Sequence, residues 1–397
     1  MKLVNQQLIR STNLKQLYNF IYQNPGTSRA QLSKESHLSK TAVSSLIDEL
    51  IARNFIYDSG TGGSTTVGRK PNSLLLRSEQ YYVAVLCLEE NRLNTALVDI
   101  TGTSSLSIQT EVSSPEAYIL LCRNYIKQTV LSQIQREQLL GICIVVPAMI
   151  DPDRREIFST TLNLSENFVG EIQRVFSDFS VNILNDTACF AYAEKVYTQI
   201  AEKDFAFINF SKGIGATLFI QNEMLGHACA SHTQFGHYSI DPDGKLCSCG
   251  NRGCLELMIG EDSLKERISQ TGNSPALKKL SAVTYADLGQ ASVYGDIVSR
   301  KVLHDIAYEF SLALCNLICM VHPKLIIIGG KGKDLSPLFL QDIQECLSTT
   351  GFRRMVDSVD IRYSLLDSSA LYNGAMKYFF DIHYNFMQEM DNSFFIG

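Results

Sequence analysis

The sequence predicts two kinds of fold in one chain: a small helical domain with a two-stranded wing, followed by an α/β body in two lobes. Three observations lead to this prediction. Short amphipathic helices fill the beginning of the chain, buried strands alternate with helical segments from about residue 79, and the net charge changes sign between the two parts. Such alternation is typical of α/β folds. We therefore expect domains at residues 1–78 and 79–397.

Composition sets the class of protein. The chain has 397 residues, of which 45% are hydrophobic, enough for more than one packed core. Its opening lacks the apolar run of about 7–15 residues of a secretion signal, and its longest apolar run is shorter than the roughly 20 residues that span a bilayer. Eight of the 11 cysteines mostly stand singly in apolar segments, as buried thiols do in a reducing compartment. We expect a cytoplasmic protein with no disulfide framework and no membrane partner.

Net charge differs between the first predicted domain, residues 1–78, here called the head, and the second, residues 79–397, here called the body. The first 80 residues carry a net charge of +5, and the rest of the chain carries −11. A basic head on an acidic body favours a polyanion as the partner of the head. Charge alone leaves a chance asymmetry as the alternative.

The head contains signals for three helices. An amphipathic helix is predicted to end near Asn24-Pro25-Gly26, and two further starts are a Ser-x-x-Gln capping box at Ser28 and a cap at Ser39. Two short helices joined by a tight turn are typical of a helix-turn-helix. The positions expected to be buried in the first and third helices are Leu14, Leu17, Tyr18, Ile21, Val43, Leu46, Ile47 and Leu50.

The exposed positions of this motif are candidates for contacts with double-stranded DNA. We expect Lys40, Thr41, Ser44 and Ser45 to face base edges or phosphates. Strands predicted in FIYDSG and NSLLLR would form a wing around a Gly-rich segment, with Arg69 and Lys70 at its tip. The alternative is a small helical docking domain.

One loop of the body concentrates soft metal ligands. Residues 236–256 read GHYSIDPDGKLCSCGNRGCLE, so Cys247, Cys249 and Cys254 lie among glycines, and His237 can supply a fourth ligand. Three thiolates and one imidazole suit tetrahedral zinc in a closed, structural site. The spacing itself leaves two possibilities, a metal site or a thiol-rich loop.

The chain resembles the ROK family of repressors, open reading frames and sugar kinases. The resemblance covers residues 10–380 and rests on SRAQLSKESHLSKTAVSSLIDELI, GRKP, NDTACFAYAE and FGHYSIDPDGKLCSCGNRGCLE. It implies an actin/hexokinase-like body and one structural zinc per chain, bound in loop 237–254 by His237, Cys247, Cys249 and Cys254. Members with a winged helix in front are mostly sugar-responsive regulators and usually form dimers or higher oligomers.

The resemblance also allows a kinase, so the ATP side matters. By alignment on Asp99, Cys87 stands where the kinases have an Asp, and Glu89 and Glu90 stand where they have glycines. Each carboxylate would repel a triphosphate by roughly 4 kcal/mol per charge pair at 4 Å and an effective dielectric of 20. We expect ATP to be excluded. The glycines of KGIGA (Gly213, Gly215) and IIGG (Gly329, Gly330) are either remnants of a nucleotide site or ordinary tight turns.

The sugar side is better preserved. The resemblance places Asn163, Asn185, Asp186, His237 and Glu256 around a pyranose, with Asp186 as the general base if the protein is a kinase. One position departs from the family, since Gln234 stands where a Glu is usual. An acceptor-only group has thus become a donor and acceptor, which changes the set of hydroxyls that can be recognised. The alternative is that Asp186 and Glu256 only form hydrogen bonds between the lobes.

The sequence therefore predicts a DNA-binding transcriptional repressor with a sugar-sensing body, no enzymatic activity, and a homodimeric or higher assembly on operator DNA. An active sugar kinase with a DNA-binding head is the alternative. A protein-interaction module would keep this fold but would need no base-reading helix.

Overall fold

The structure is a computed structural model that describes residues 6–60, 73–229, 233–386 and 393–396. The chain forms two compact units. The first contains the residues up to Val145, Asn167–Ile183 and Ala375–Phe395, and the second contains Val146–Glu166 and Leu184–Gly374. The predicted boundary between residues 78 and 79 thus falls inside the first unit.

The head has the predicted order of elements. Ser28 caps α2 by accepting a hydrogen bond from the Gln31 amide at 3.2 Å, and Ser39 caps α3 by accepting one from the Ala42 amide at 3.1 Å. The apolar positions predicted for α1 and α3 are buried. Strands β1 and β2 pair antiparallel and form the base of the wing. The elements are α1 Gln6–Gln23, α2 Arg29–Ser36, α3 Lys40–Ala52, β1 Ile56–Asp58 and β2 Leu74–Leu76.

The first large sheet has the strand order β15-β9-β6-β3-β4-β5. Strand β6 runs parallel to β3, whereas β4 pairs antiparallel with both β3 and β5. The elements of this part of the chain are β3 Tyr82–Glu89, β4 Arg92–Asp99, β5 Ser104–Glu111, α4 Ala117–Asn124, β6 Leu139–Val146, β7 Met149–Asp151, β8 Glu156–Phe158, α5 Phe168–Val175, β9 Val181–Asn185 and β15 Phe394–Ile396.

The second unit is built on a sheet of order β12-β11-β10-β13-β14, in which β13 runs parallel to both β10 and β14. Its elements are α6 Asp186–Tyr197, β10 Phe205–Phe210, β11 Ile214–Ile220, β12 Glu223–Met224, α7 Leu255–Ile259, α8 Glu261–Thr271, α9 Tyr285–Val293, α10 Ile297–Val321, β13 Leu325–Gly329, α11 Ser336–Thr350, α12 Arg353–Val356, β14 Asp360–Tyr363 and the beginning of α13 Ala370–Tyr378.

The apolar composition of helix α10 reflects its burial in the second unit. It is long and apolar enough to cross a membrane, but half of its most apolar window is buried inside the structure. Ile306, Phe310 and Leu314 are fully buried and belong to the core of the second unit. Cys319, near the end of the helix, is exposed and Cys315 is half-buried, unlike the buried thiols expected from their apolar surroundings.

The C-terminal segment of the first unit packs on the head. Rings of Tyr18 and Phe55 contact rings of Phe380 and Phe386, with centroid distances of 4.7 Å for Tyr18–Phe380 and 4.9 Å for Phe55–Phe386. Arg53, the C-cap of α3, donates to the Phe386 carbonyl at 2.5 Å. The head and the C-terminal segment therefore share one aromatic core.

Two lysines lie in this contact. Lys377 Nζ donates to Asn19 Oδ1 at 2.8 Å and pairs with Asp381 at 2.5 Å. Lys15 Nζ donates to the Asp381 carbonyl at 2.7 Å. Burial lowers the pKa of Lys15 to about 8, because a desolvated ammonium is less stable than a solvated one.

Candidate functional site

The four predicted metal ligands come together. The Nδ1 atom of His237 and the Sγ atoms of Cys247, Cys249 and Cys254 all lie within 4.8 Å of one another. His237 Nδ1 is 3.7 Å from Cys247 Sγ, and Cys249 Sγ is 3.6 Å from Cys254 Sγ. Ligands at about 2.1–2.3 Å from a tetrahedral zinc would be separated by roughly 3.5–3.8 Å. The donor set and its spacing fit zinc.

The backbone explains why these ligands converge. Ser239 pairs with Cys254 and Leu246 pairs with Arg252, so the loop folds back on itself as a short antiparallel ladder. Gly253 has φ +60°, and a Cβ there would lie 1.7 Å from the Asp241 carbonyl oxygen. A residue with a side chain cannot occupy this position without moving the Asp241 backbone.

The thiols also need a cation to ionise together. Burial, together with the neighbouring Cys249 and Cys247, raises the pKa of Cys254 to about 12. Burial also acts to raise the pKa of Cys249, but hydrogen bonds from the Asn251 backbone and the neighbouring thiols outweigh it and lower that pKa. Only a bound cation would stabilise three adjacent thiolates.

Glu256 lies beside the ligand cluster. Cys254 is the N-cap of α7, and Glu256 is in the first turn of that helix. The Glu256 carboxylate accepts a hydrogen bond from the Ile214 amide at 3.0 Å. A Cβ at Gly236, next to His237, would lie 3.3 Å from Glu256 Oε2. The fold therefore brings Glu256 close to the turn that carries His237.

Asp186 begins α6. Its Oδ1 accepts a hydrogen bond from the Thr187 amide at 2.7 Å, and Asn209 Nδ2 lies 3.5 Å from its Oδ2. Asn185 is buried and acts as the N-cap of α6, accepting from the Ala188 amide at 3.0 Å and donating to the Ala148 carbonyl at 3.0 Å. These bonds give Asn185 a role in holding the end of β9 and the start of α6.

For the other two predicted sugar residues, Gln234 and Asn163, the structure gives exposure and position in the chain. Gln234 is exposed at the start of the short helical turn Phe235–His237. Asn163 is exposed in the segment between β8 and α5. Their roles remain predictions from the sequence.

Two glycines on the predicted nucleotide side, Gly215 and Gly330, have protein atoms where a Cβ would stand. KGIGA is not a loop throughout, because Gly215 lies in β11. A Cβ at Gly215 would lie 2.4 Å from Thr187 Oγ1, and a Cβ at Gly330 would lie 2.5 Å from Asn209 Oδ1. Internal packing is a sufficient reason for both glycines. Asn209, which contacts Asp186 and Thr187, is not among the site residues predicted from the sequence.

In the first unit, Glu89 and Glu90 lie at a tight hairpin. Glu89 pairs with Arg92 across the end of β3 and β4, and its carboxylate accepts a hydrogen bond from Asn94 Nδ2 at 2.8 Å. Cys87 is buried in β3. The carboxylates thus stand where the two strands reverse.

The candidate DNA-binding residues of α3 differ in solvent exposure. Lys40, Thr41 and Ser45 are exposed. Ser44 is half-buried, and its hydroxyl accepts a hydrogen bond from Arg29 at 2.9 Å, while Arg29 also pairs with Asp48 at 2.8 Å. Arg29 was not identified from the sequence and ties α2 to α3. Arg69 and Lys70 lie outside the described residues.

Comparison with known proteins agrees with this architecture. The ROK family profile matches residues 90–380, and a winged helix-turn-helix DNA-binding profile matches residues 10–57. The chain is 28% identical to a xylose repressor of Bacillus subtilis over 93% of this chain and 95% of that protein. It is 24% identical to the transcriptional repressor Mlc of Escherichia coli over 93% of this chain and 95% of that protein.

Two solved structures show the same fold. A ROK family transcriptional regulator, described as a homologue of E. coli Mlc, superposes with a TM-score of 0.79 at 21% identity, covering 94% of this chain and 97% of that one. A ROK family glucokinase from Streptomyces griseus, in complex with glucose and AMPPNP, has a TM-score of 0.62 at 18% identity and covers 75% of this chain and 98% of that one. The second match lacks a counterpart for about a quarter of this chain.

Proposed function

Because the chain belongs to the ROK family and carries a winged helix-turn-helix, we propose that it is a sugar-responsive transcriptional repressor that binds operator DNA. The observation that carries the proposal is the presence, in one chain, of a basic DNA-binding head and a ROK body. A sugar kinase has no need for the head. Relatives named as repressors match along nearly the whole chain, head included.

The proposed effector is a monosaccharide held by Asp186, Glu256 and His237. Further proposed ligands of the sugar are Asn163, Asn185 and Gln234. Carboxylates can accept two hydroxyls each, which is the usual way proteins recognise sugars. Relatives are named for xylose and for N-acetylglucosamine. These sugars are therefore the first to test.

We propose one structural zinc per chain, held by His237, Cys247, Cys249 and Cys254. Bound zinc would cross-link the loop and would leave no ligand position for a reacting water. His237 offers Nδ1 to the thiol cluster, so its Nε2 is the atom that would face the sugar. A sugar bound by His237 and Glu256 would then act on the zinc loop through His237 and on helix α7, which begins after Cys254, through Glu256.

The protein is proposed to lack kinase activity. The resemblance assigns the triphosphate turn to the positions of Glu89 and Glu90, whose charges would repel a nucleotide. The close packing around Gly215 and Gly330 also supports a structural role for those glycines. Asp186 would then serve as a sugar ligand without acting as a base. Retention of Asp186 is the feature that favours the alternative, an active kinase.

The proposed assembly is a cytoplasmic homodimer or higher homo-oligomer that binds a two-fold repeat in duplex DNA. Helix-turn-helix dimers read half-sites about one helical turn apart. A sugar can change DNA affinity only through its differential affinity for two states of the protein. A coupling free energy of about 1–3 kcal/mol would change DNA affinity roughly 5–150-fold.

The proposal is tested by titrating the full chain on duplex DNA from upstream of its own gene, with D-xylose, D-glucose, N-acetylglucosamine and their phosphates added. We expect one of the sugars to change the DNA affinity. Asp186→Asn should abolish this response and leave DNA binding without sugar near wild type, because Asp186 lies far in sequence from the head. Asp178→Asn, an exposed carboxylate in the first unit, is the control.

Two results would contradict the proposal. One is an Asp186→Asn protein that responds to the sugar as wild type does. The other is turnover of ATP with a hexose by the purified wild-type protein, which would make the kinase the better description.

A further inference from the structure

We propose that Asn209 is a positioning residue that sets the orientation of the Asp186 carboxylate and joins the two sides of the sugar site. The inference rests on the proposed function, since it concerns the same site. Asn209 is buried near the end of β10. Its amide lies among Asp186, Thr187 and Ser211, and each of its two polar atoms has a partner.

Asn209 and Thr187 together hold the Asp186 carboxylate. Asn209 Nδ2 donates to Thr187 Oγ1 at 3.3 Å and lies 3.5 Å from Asp186 Oδ2. The other carboxylate oxygen, Oδ1, is held by the Thr187 amide at 2.7 Å. Both oxygens of Asp186 therefore have a donor on a separate element, α6 for one and β10 for the other. This fixes the plane in which the carboxylate can accept sugar hydroxyls.

Glycines on the two neighbouring strands leave room for the contact between Asn209 and Thr187. In the sheet, the cross-strand neighbours of Asn209 are Gly215 on β11 and Gly329 on β13. Thr187 Oγ1 occupies the position that a Cβ at Gly215 would need, at 2.4 Å. Because both facing positions are glycine, no side chain there separates the Asn209 amide from the Thr187 hydroxyl.

Further polar contacts connect this side to the Glu256 side. Ser211 Oγ donates to Asn209 Oδ1 at 3.1 Å, and the Ser211 carbonyl lies 3.4 Å from the Tyr285 hydroxyl. The same hydroxyl donates to the Ile259 carbonyl at the end of α7, at 3.0 Å. Helix α7 carries Glu256 and begins at Cys254. Polar contacts through Asn209, Ser211 and Tyr285 thus connect Asp186 to the helix that bears Glu256.

An amide is the required group at position 209. It donates towards a carboxylate and a hydroxyl and accepts from another hydroxyl, a combination that neither aspartate nor leucine offers. A carboxylate at this position would lie beside Asp186, and two carboxylates in contact cannot both ionise at neutral pH without a large rise in one pKa.

The test compares Asn209→Asp with Asn316→Asp, the same substitution on an exposed part of α10. The measurement is the concentration of sugar that gives half of the change in DNA affinity, at pH 8 and at pH 5.5, relative to wild type at the same pH. The sugars are D-xylose, D-glucose and N-acetylglucosamine. Zinc content and the thermal unfolding midpoint are measured on each protein.

We expect Asn209→Asp to raise the half-effective concentration at least about tenfold at pH 8 and much less at pH 5.5, where a shared proton restores a donor to Asp186. DNA binding without sugar and zinc content should stay near wild type. A residue with only a structural role would not produce this pH dependence. Should Asn209→Asp not fold, Ser211→Ala, which removes the hydroxyl that holds the amide, is expected to raise the half-effective concentration in the same direction.

The outcomes separate the two proposals. If Asp186→Asn abolishes the sugar response while the folded Asn209→Asp protein, or Ser211→Ala in its place, stays within twofold of wild type at both pH values, the inference about Asn209 is wrong and the proposed function stands. If none of the sugars changes DNA affinity in wild type, or if Asp186→Asn leaves the response intact, the proposed function fails and this inference fails with it.

Discussion

Removal of the metal should expose three particular thiols and no others. All 11 cysteines are free, and Cys319 is exposed while Cys315 and Cys249 are half-buried. With zinc bound, Cys247, Cys249 and Cys254 would be protected as ligands, so a fast thiol reagent should find Cys319 and, more slowly, Cys315. After chelation, the number of fast-reacting thiols should rise by three per chain. Complete unfolding would instead expose all 11.

The assay is a thiol titration run together with a chromogenic zinc indicator, on protein purified without added zinc. The Cys319→Ser background removes the one exposed thiol, so the three loop thiols are counted against a low baseline. We expect one zinc released per chain as the three thiols appear. Because the loop is a small part of a body with its own core, the metal-free protein should keep most of its secondary structure.

Single substitutions locate the site. Cys249→Ser should lower the zinc content well below one per chain, since a ligand is lost from a closed set of four. Cys315→Ser, which replaces a cysteine of similar exposure outside the loop, should keep full occupancy. The zinc site is contradicted if wild type carries well under one zinc per chain, or if Cys249→Ser binds as much zinc as Cys315→Ser does.

The remaining predictions concern the head and its contact with the C-terminal segment. Arg69→Ala should weaken binding to all duplex sequences about equally and reduce the slope of log affinity against log salt concentration by about 1, whereas Thr41→Ala should change the preference among sites by about 1–3 kcal/mol. Binding of both variants to a set of operator sequences at several salt concentrations would distinguish these effects. Identical binding profiles for the two variants would contradict the helix-turn-helix assignment. For Lys15, whose pKa is lowered from its ordinary value of 10.5 to about 8, the folded protein loses a proton above pH 8 that the unfolded chain keeps. The free energy of unfolding of wild type, relative to Lys15→Met, should therefore rise between pH 7 and pH 9; a constant difference in urea denaturation across this range would show that Lys15 is not desolvated.

Strong local patterns made most of the elements predictable. The caps at Ser28 and Ser39 were readable because their hydroxyls and the helices they start are adjacent in sequence. Buried strands such as β6 and β13 appeared as continuous apolar runs. Strand β5 is not predictable in this way, because it is polar and exposed along most of its length and the alternation that marks a half-buried strand is absent.

The metal cluster was predictable for a similar reason, since its ligands are close in sequence. The polar contacts around Asp186 were not. Asn209 reaches Asp186 and Thr187 because the two neighbouring strands carry glycine at the facing positions, and that juxtaposition depends on the register of β10 with β11 and β13. Likewise, the pairing of Arg29 with Ser44 depends on how α2 crosses α3. Register and crossing geometry are set by long-range packing, which no short stretch of sequence displays.

The aromatic contacts between the head and the C-terminal segment limit how freely this regulator can be rebuilt. Tyr18 and Phe55 lie far from Phe380 and Phe386 in the sequence, yet the four rings fill the same core. A chimera that exchanges residues 1–78 for the head of another regulator would place foreign side chains against the native Phe380 and Phe386. A truncated body would leave those rings without their partners. The operator specificity of this protein is therefore best changed by substitutions at the exposed positions of α3. The alternative is to exchange the head together with residues 375–386, so that the aromatic core is transferred intact.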